Sequence, residues 1–85
     1  MQTPLITEIY RSSKKEGLYL YLRHGLAMED VPEVVRQQFG QPELAMTLKL
    51  DEKRKLARVD VIKVIDALNE RGFYIQLPPS EEAGL

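Results

Sequence analysis

Leu44-Ala45-Met46-Thr47-Leu48-Lys49-Leu50 places four aliphatic side chains at every second position. Successive side chains of a strand point to opposite faces, so this period of two predicts a half-buried β-strand. Downstream, Asp51 to Lys55 reads as a charged loop, and Asp60 followed by Val61, Ile62, Ile65 and Leu68 predicts an amphipathic helix with an N-cap acid. Arg71 falls in its last turn, and Gly72 sits where a left-handed C-terminal residue is favoured. Phe73, Ile75 and Leu77 then alternate with Tyr74 and Gln76 as a last strand, stopped by Pro78-Pro79. Ser80-Glu81-Glu82 suits the first turn of another helix, three residues before the chain ends at Leu85.

Upstream, Asp30-Val31-Pro32-Glu33 has the form of a helix start, with an N-cap acid, a proline in the first turn and a further acid. Val31, Val34, Val35 and Phe39 share one side of that helix, and Gly40 with Pro42 ends it after about two turns. Earlier still, residues 5 to 12 and 17 to 23 are β-rich runs joined by the polar Ser13-Lys14-Lys15-Glu16-Gly17, which predicts a hairpin. In its second run Leu18, Leu20 and Leu22 form an aliphatic face, expected in the core, while Tyr19, Tyr21 and Arg23 form an aromatic and basic one. The order is ββαβαβ, an α/β domain. The connection from the Leu44 strand to the Phe73 strand has the length of a right-handed crossover, which would make those strands parallel and the sheet mixed.

With 85 residues and 9.8 kDa the chain has room for one core, expected over residues 4 to 79 with a short tail at 80 to 85. Its 12 Lys and Arg against 13 Asp and Glu, a net charge of -1, argue against a polybasic coat for DNA or membranes. The absence of cysteine excludes disulfides, thiolate nucleophiles, zinc ribbons and iron-sulfur clusters. One histidine, His24, leaves no multi-histidine metal site, and Glu29, Asp30 and Glu33 lack calcium-loop spacing. With no glycine-rich phosphate loop or nucleophile elbow, the expectation is no metal, no cofactor and no catalysis. Met1 to Glu8 carries no basic leader and apolar stretch, and no run approaches the roughly 20 apolar residues of a membrane span. The expected location is the cytoplasm, away from membranes.

Four segments carry a family resemblance: Ile9-Tyr10-Arg11-Ser12-Ser13-Lys14, Tyr19-Leu20-Tyr21, Phe39-Gly40-Gln41-Pro42-Glu43-Leu44-Ala45-Met46 and Gly72-Phe73-Tyr74-Ile75-Gln76-Leu77-Pro78-Pro79. Together they resemble the YcgL-like family of small bacterial proteins over nearly all of residues 7 to 79. The resemblance implies an α/β/α sandwich, with helices on both faces of a central sheet. It brings no assigned activity and no catalytic set. Some members are encoded beside ribonuclease D, which implies a role connected with RNA. Members often continue past the Pro-Pro with a helical-looking segment, which the short tail here does not match.

Charge is unevenly spread. Arg11, Lys14, Lys15 and Arg23 against Glu16 leave +3, and Lys49, Lys53, Arg54, Lys55 and Arg58 against Asp51 and Glu52 leave +3. Glu29, Asp30, Glu33 and Glu43 against Arg36 leave -3. With a four-residue turn at Ser13 to Glu16, Tyr10 lies opposite Tyr19 and shares a face with Tyr21 and Arg23. Such a platform stacks the bases of single-stranded RNA while Lys and Arg hold phosphates. The candidate nucleic-acid residues are therefore Tyr10, Arg11, Lys14, Lys15, Tyr19, Tyr21, Arg23, Lys53, Arg54 and Lys55. Hairpin tyrosines more often serve as packing surface under a helix, and the second basic run, which lacks interleaved aromatics, more often is a solvated loop.

The expected function is a non-catalytic binding or regulatory accessory whose partner is single-stranded RNA or an RNA-processing protein. The alternative is a protein-binding adaptor, for which Pro78-Pro79 or a free sheet edge would dock a partner, as monomer or weak homodimer. A third class is a small hydrolase using His24, with Ser12 and Ser13 the nearest hydroxyls in sequence. The RNA expectation requires exposed tyrosines; the adaptor expectation requires an apolar patch or an open strand edge.

Overall fold

A computed structural model describes residues 5–56 and 59–79. The tail, the helix start expected at Ser80-Glu81-Glu82, and Arg58 lie outside the described residues. Strands β1 (Leu5–Ser12) and β2 (Tyr19–Arg23) form the hairpin. A 3-10 turn (Met28–Asp30) leads to α1 (Glu33–Phe39), β3 (Pro42–Leu50), α2 (Val61–Glu70) and β4 (Phe73–Gln76). The expected order of strands and helices is present, with the 3-10 turn added.

The sheet is not mixed. Its strands run β3-β1-β2-β4, and every neighbouring pair is antiparallel. β3 takes the free side of β1 and β4 the free side of β2, so the two strands expected to be parallel run in opposite directions at opposite edges. The crossover rule applies to parallel strands and does not govern this connection. Connection length constrains adjacency only loosely, since a loop and helix of this size reach either edge.

Both faces of the sheet are buried, one under each helix. On one, Ile9, Tyr21 and Leu50 pack with Val61, Val64 and Leu68 of α2. On the other, Leu18, Leu20 and Leu22 pack with Val31 and with Phe39 of α1. The layering is that of an α/β/α sandwich. The aliphatic face of β2 is core, as expected; the aromatic face is core as well.

The helix starts differ from one another. Asp60 caps α2, its Oδ1 accepting the Ile62 N–H at 2.9 Å. Asp30 does not cap α1: its carboxylate accepts the Ala27 N–H at 2.8 Å within the 3-10 turn, and Pro32 is the N-cap. Because α1 begins only at Glu33, Val35 and Phe39 set its inner face, and Val34 turns out, 61% exposed. In α2 the inner stripe is Val61, Val64, Ala67 and Leu68, leaving Ile62 exposed.

Gly17 has φ of +87°, and a Cβ there would stand 3.3 Å from Pro78 Cβ. A left-handed residue without a side chain therefore closes the hairpin and lets the exit of β4 pack against it. Pro78 is buried and Pro79 exposed, so the Pro78-Pro79 pair lies against the hairpin turn with one ring engaged within the fold.

Candidate functional site

The hairpin register decides the fate of the tyrosine platform. Tyr10 pairs with Leu20 and Arg11 with Tyr19, because the loop runs from Ser13 to Gly17, one residue longer than the turn assumed. One residue moves a side chain to the other face. Tyr10 accordingly joins the α1 side with Leu20, while Tyr19 and Tyr21 join the α2 side. Tyr21 is 5% exposed, donates its hydroxyl to Gln76 Oε1 at 2.8 Å and meets Tyr74 edge-on at 5.9 Å. Tyr10 and Tyr19 are half-buried. Burial, with Glu8 adding, raises the Tyr10 phenol above its ordinary value of 10.0. The three rings do not form one exposed surface.

The basic candidates separate as well. Arg11, Lys14 and Lys15 lie at the hairpin-loop end; Arg11 Nε pairs with Glu43 Oε1 at 3.2 Å and Lys14 Nζ donates to the Gln37 carbonyl at 2.9 Å. Arg23 lies opposite Thr7 near the other end. Lys53, Arg54 and Lys55 follow β3 at that same end, since Leu50 pairs with Leu5.

His24 sits at the far end of β2, its ring exposed and its Nδ1 3.9 Å from Glu8 Oε2. Ser12 and Ser13 are at the opposite end of the hairpin and are occupied in turn chemistry. Ser12 Oγ donates to the Phe39 carbonyl and accepts from Lys14 and Lys15 N–H, and Ser13 Oγ accepts from Gln41 N–H. The two serines thus lash the hairpin loop to the α1–β3 junction. Among the described residues no three His, Cys, Asp or Glu side chains gather to hold a metal ion. Clefts of about 190 and 340 Å³ flank α1, both lined by Val35 and Phe39 and neither containing His24.

Sequence reasoning expected a free sheet edge without locating it, and the outer side of β3 is one such edge. A bulge falls where Ile9 pairs with Met46 but Tyr10 with Leu44, leaving Ala45 as the extra residue. The bulge turns Leu44 to the α1 side and keeps Met46 on the α2 side, and they are 55% and 50% exposed. The strict alternation of this strand concealed both the bulge and the exposure. Pro42 and Lys49, residue types that edges tolerate and use against unwanted pairing, were the available signal.

The family model of the YcgL domain matches residues 7–79, from within β1 to just past β4. The chain belongs to the YcgL domain family. A YcgL domain-containing protein of Saccharophagus degradans is 46% identical over 79 residues, which are 93% of this chain and 87% of that protein. One from Cellvibrio japonicus is 48% identical over 77 residues, 91% and 79% of the respective chains. The protein YcgL of Shigella dysenteriae is 51% identical over 74 residues, 87% of this chain and 68% of that protein. Apart from Leu5 and Ile6 at the start of β1, the strands of the YcgL sheet, both helices and the β3 edge fall within the matched residues.

Proposed function

We propose that this YcgL domain is a non-catalytic accessory module of the cytoplasm that binds a partner protein along the outer edge of β3. The observation that carries the proposal is the nine-residue edge strand with Leu44 and Met46 exposed on its two faces. An edge strand offers unpaired backbone donors and acceptors, and exposed apolar side chains beside it add area for a partner to cover. Direct stacking of RNA bases is less well supported, because Tyr21 is core and Tyr10 faces away from it. In this proposal the connection with RNA implied by the family resemblance runs through an RNA-processing protein. The hydrolase alternative has only an exposed His24 beside Glu8 to support it.

The test places a photo-crosslinking amino acid at Met46 and, as control, at Ile62 on α2 in the producing bacterium. The expected result is one discrete protein adduct at Met46 alone. The purified partner should then bind the wild-type domain and lose binding with Leu44→Lys/Met46→Lys, whose circular dichroism stays native. Absence of an adduct, or equal binding by the double variant, would reject the proposal. An NMR titration with mixed single-stranded RNA should leave the Tyr19 and Tyr21 amides unshifted at physiological salt.

A further inference from the structure

The described edge has a polarity and a charge that narrow its partner. We infer that Met46 to Leu50 accepts an extended, acidic segment of a partner protein as a fifth, antiparallel strand. The inference rests on the protein-binding proposal above and specifies its chemistry.

Upstream, the bulge at Ala45 and the proline at position 42 interrupt any ladder on the outer side, so regular pairing begins at Met46. From there, Met46, Leu48 and Leu50 point to the α2 side, opposite Ile9, Thr7 and Leu5. Thr47 and Lys49 point to the other side, opposite Glu8 and Ile6. A strand laid on this edge would place apolar side chains at alternate positions against Met46 and Leu48, covering the exposed thioether. Its intervening residues would meet Thr47 and Lys49, because residues directly opposite share a face.

Charge supplies the choice of partner. Lys49 is exposed, and the exposed Lys53, Arg54 and Lys55 follow. The Asp51 carboxylate is turned onto the Lys53 N–H at 2.9 Å. From Lys49 to Lys55 four cations stand against two acids, leaving +2. An antiparallel segment enters beside Leu50, so its N-terminal part is the part that meets this basic run. An acid opposite Lys49, with further acids N-terminal to the apolar alternation, is the complementary pattern.

A second copy of the chain fits less well. Antiparallel pairing of two β3 strands centred on Met46 sets Glu43 against Lys49 by count, but the bulge has put those residues on opposite faces. Pairing centred on Leu48 leaves the two Lys49 side chains as diagonal neighbours, about 7–8 Å apart.

The probe is an acetylated, amidated peptide Glu-Val-Glu-Val-Thr-Val, whose valines face Leu50, Leu48 and Met46 and whose second glutamate faces Lys49. At millimolar peptide, amide shifts should centre on residues 46 to 50, with new hydrogen-exchange protection there. The peptide with lysine for both glutamates should bind about fivefold more weakly, and Lys49→Glu should reverse that preference. Replacing the middle valine by proline should abolish binding. No shift with any peptide, equal binding of the acidic and basic peptides, or a concentration-dependent doubling of mass without peptide would overturn the inference. A Met46 adduct without peptide discrimination rejects the acidic strand and keeps the protein-binding proposal; loss of the adduct as well rejects both.

Discussion

Tyr21 shows how much a single residue can change a functional expectation. In sequence it alternates with leucines and stands two residues from Arg23, so it reads as a base-stacking ring or, more readily, as packing. The difference lies in α2, whose Val61, Val64 and Leu68 cover the face that carries Tyr21, while the five-residue loop closed by the left-handed Gly17 shifts the pairing by one and takes Tyr10 off that face. Turn length is poorly encoded in a polar segment, and each single step exchanges the faces of a strand. The Tyr21 hydroxyl is bonded to Gln76, a buried amide at the end of β4. Tyr21→Phe should therefore lower stability by about 1–2 kcal/mol, since it removes a buried hydrogen bond and leaves Gln76 Oε1 short of a donor. Chemical denaturation would show this as a lower midpoint with unchanged slope. An unchanged midpoint would mean that the ring alone holds the site.

At the scale of elements, existence was legible and adjacency was not. Periodicity located four strands and two helices, because burial on one face imposes its period whatever the neighbours are. It could not say that β3 lies at an edge or that a bulge divides it, since Leu44 and Met46 keep a strand-like alternation while standing on opposite faces. The two acidic helix starts make the same point with energies. Asp30 and Asp60 both looked like caps, but only Asp60 accepts from the first turn of an α-helix. Asp60→Ala should cost about 1 kcal/mol and fray α2, whereas Asp30→Ala should loosen only the turn before α1. Amide exchange resolves the two: Asp60→Ala should speed exchange at Val64 and its neighbours, and Asp30→Ala should leave α2 untouched. The opposite pattern would contradict the capping geometry.

For the whole molecule, two local excesses of positive charge become two separate ends. Arg11 is four strand residues, about 13 Å, from Thr7, which faces Arg23. The Debye length near 0.15 M salt is about 8 Å, so exposed charges at one end contribute little at the other. The lone net charge of -1 hides this separation, and sequence order hides it too, because Arg23 belongs with the far-off Lys53 to Lys55 and not with its near neighbours Lys14 and Lys15. A partner strand on β3 would feel the Lys53 end alone. Exchanging Lys53, Arg54 and Lys55 together for glutamate should slow association of the acidic peptide several-fold and invert its dependence on salt, because attraction at that end becomes repulsion. The Lys14→Glu/Lys15→Glu variant should leave the rate at physiological salt nearly unchanged, because those residues sit at the hairpin loop beyond the screening distance at that salt. Stopped-flow association of a fluorescent form of the peptide between low and physiological salt separates the cases. Equal slowing by both variants at physiological salt would show that the molecule steers by its overall charge, and the assignment of the acidic segment to one end of the edge would fall.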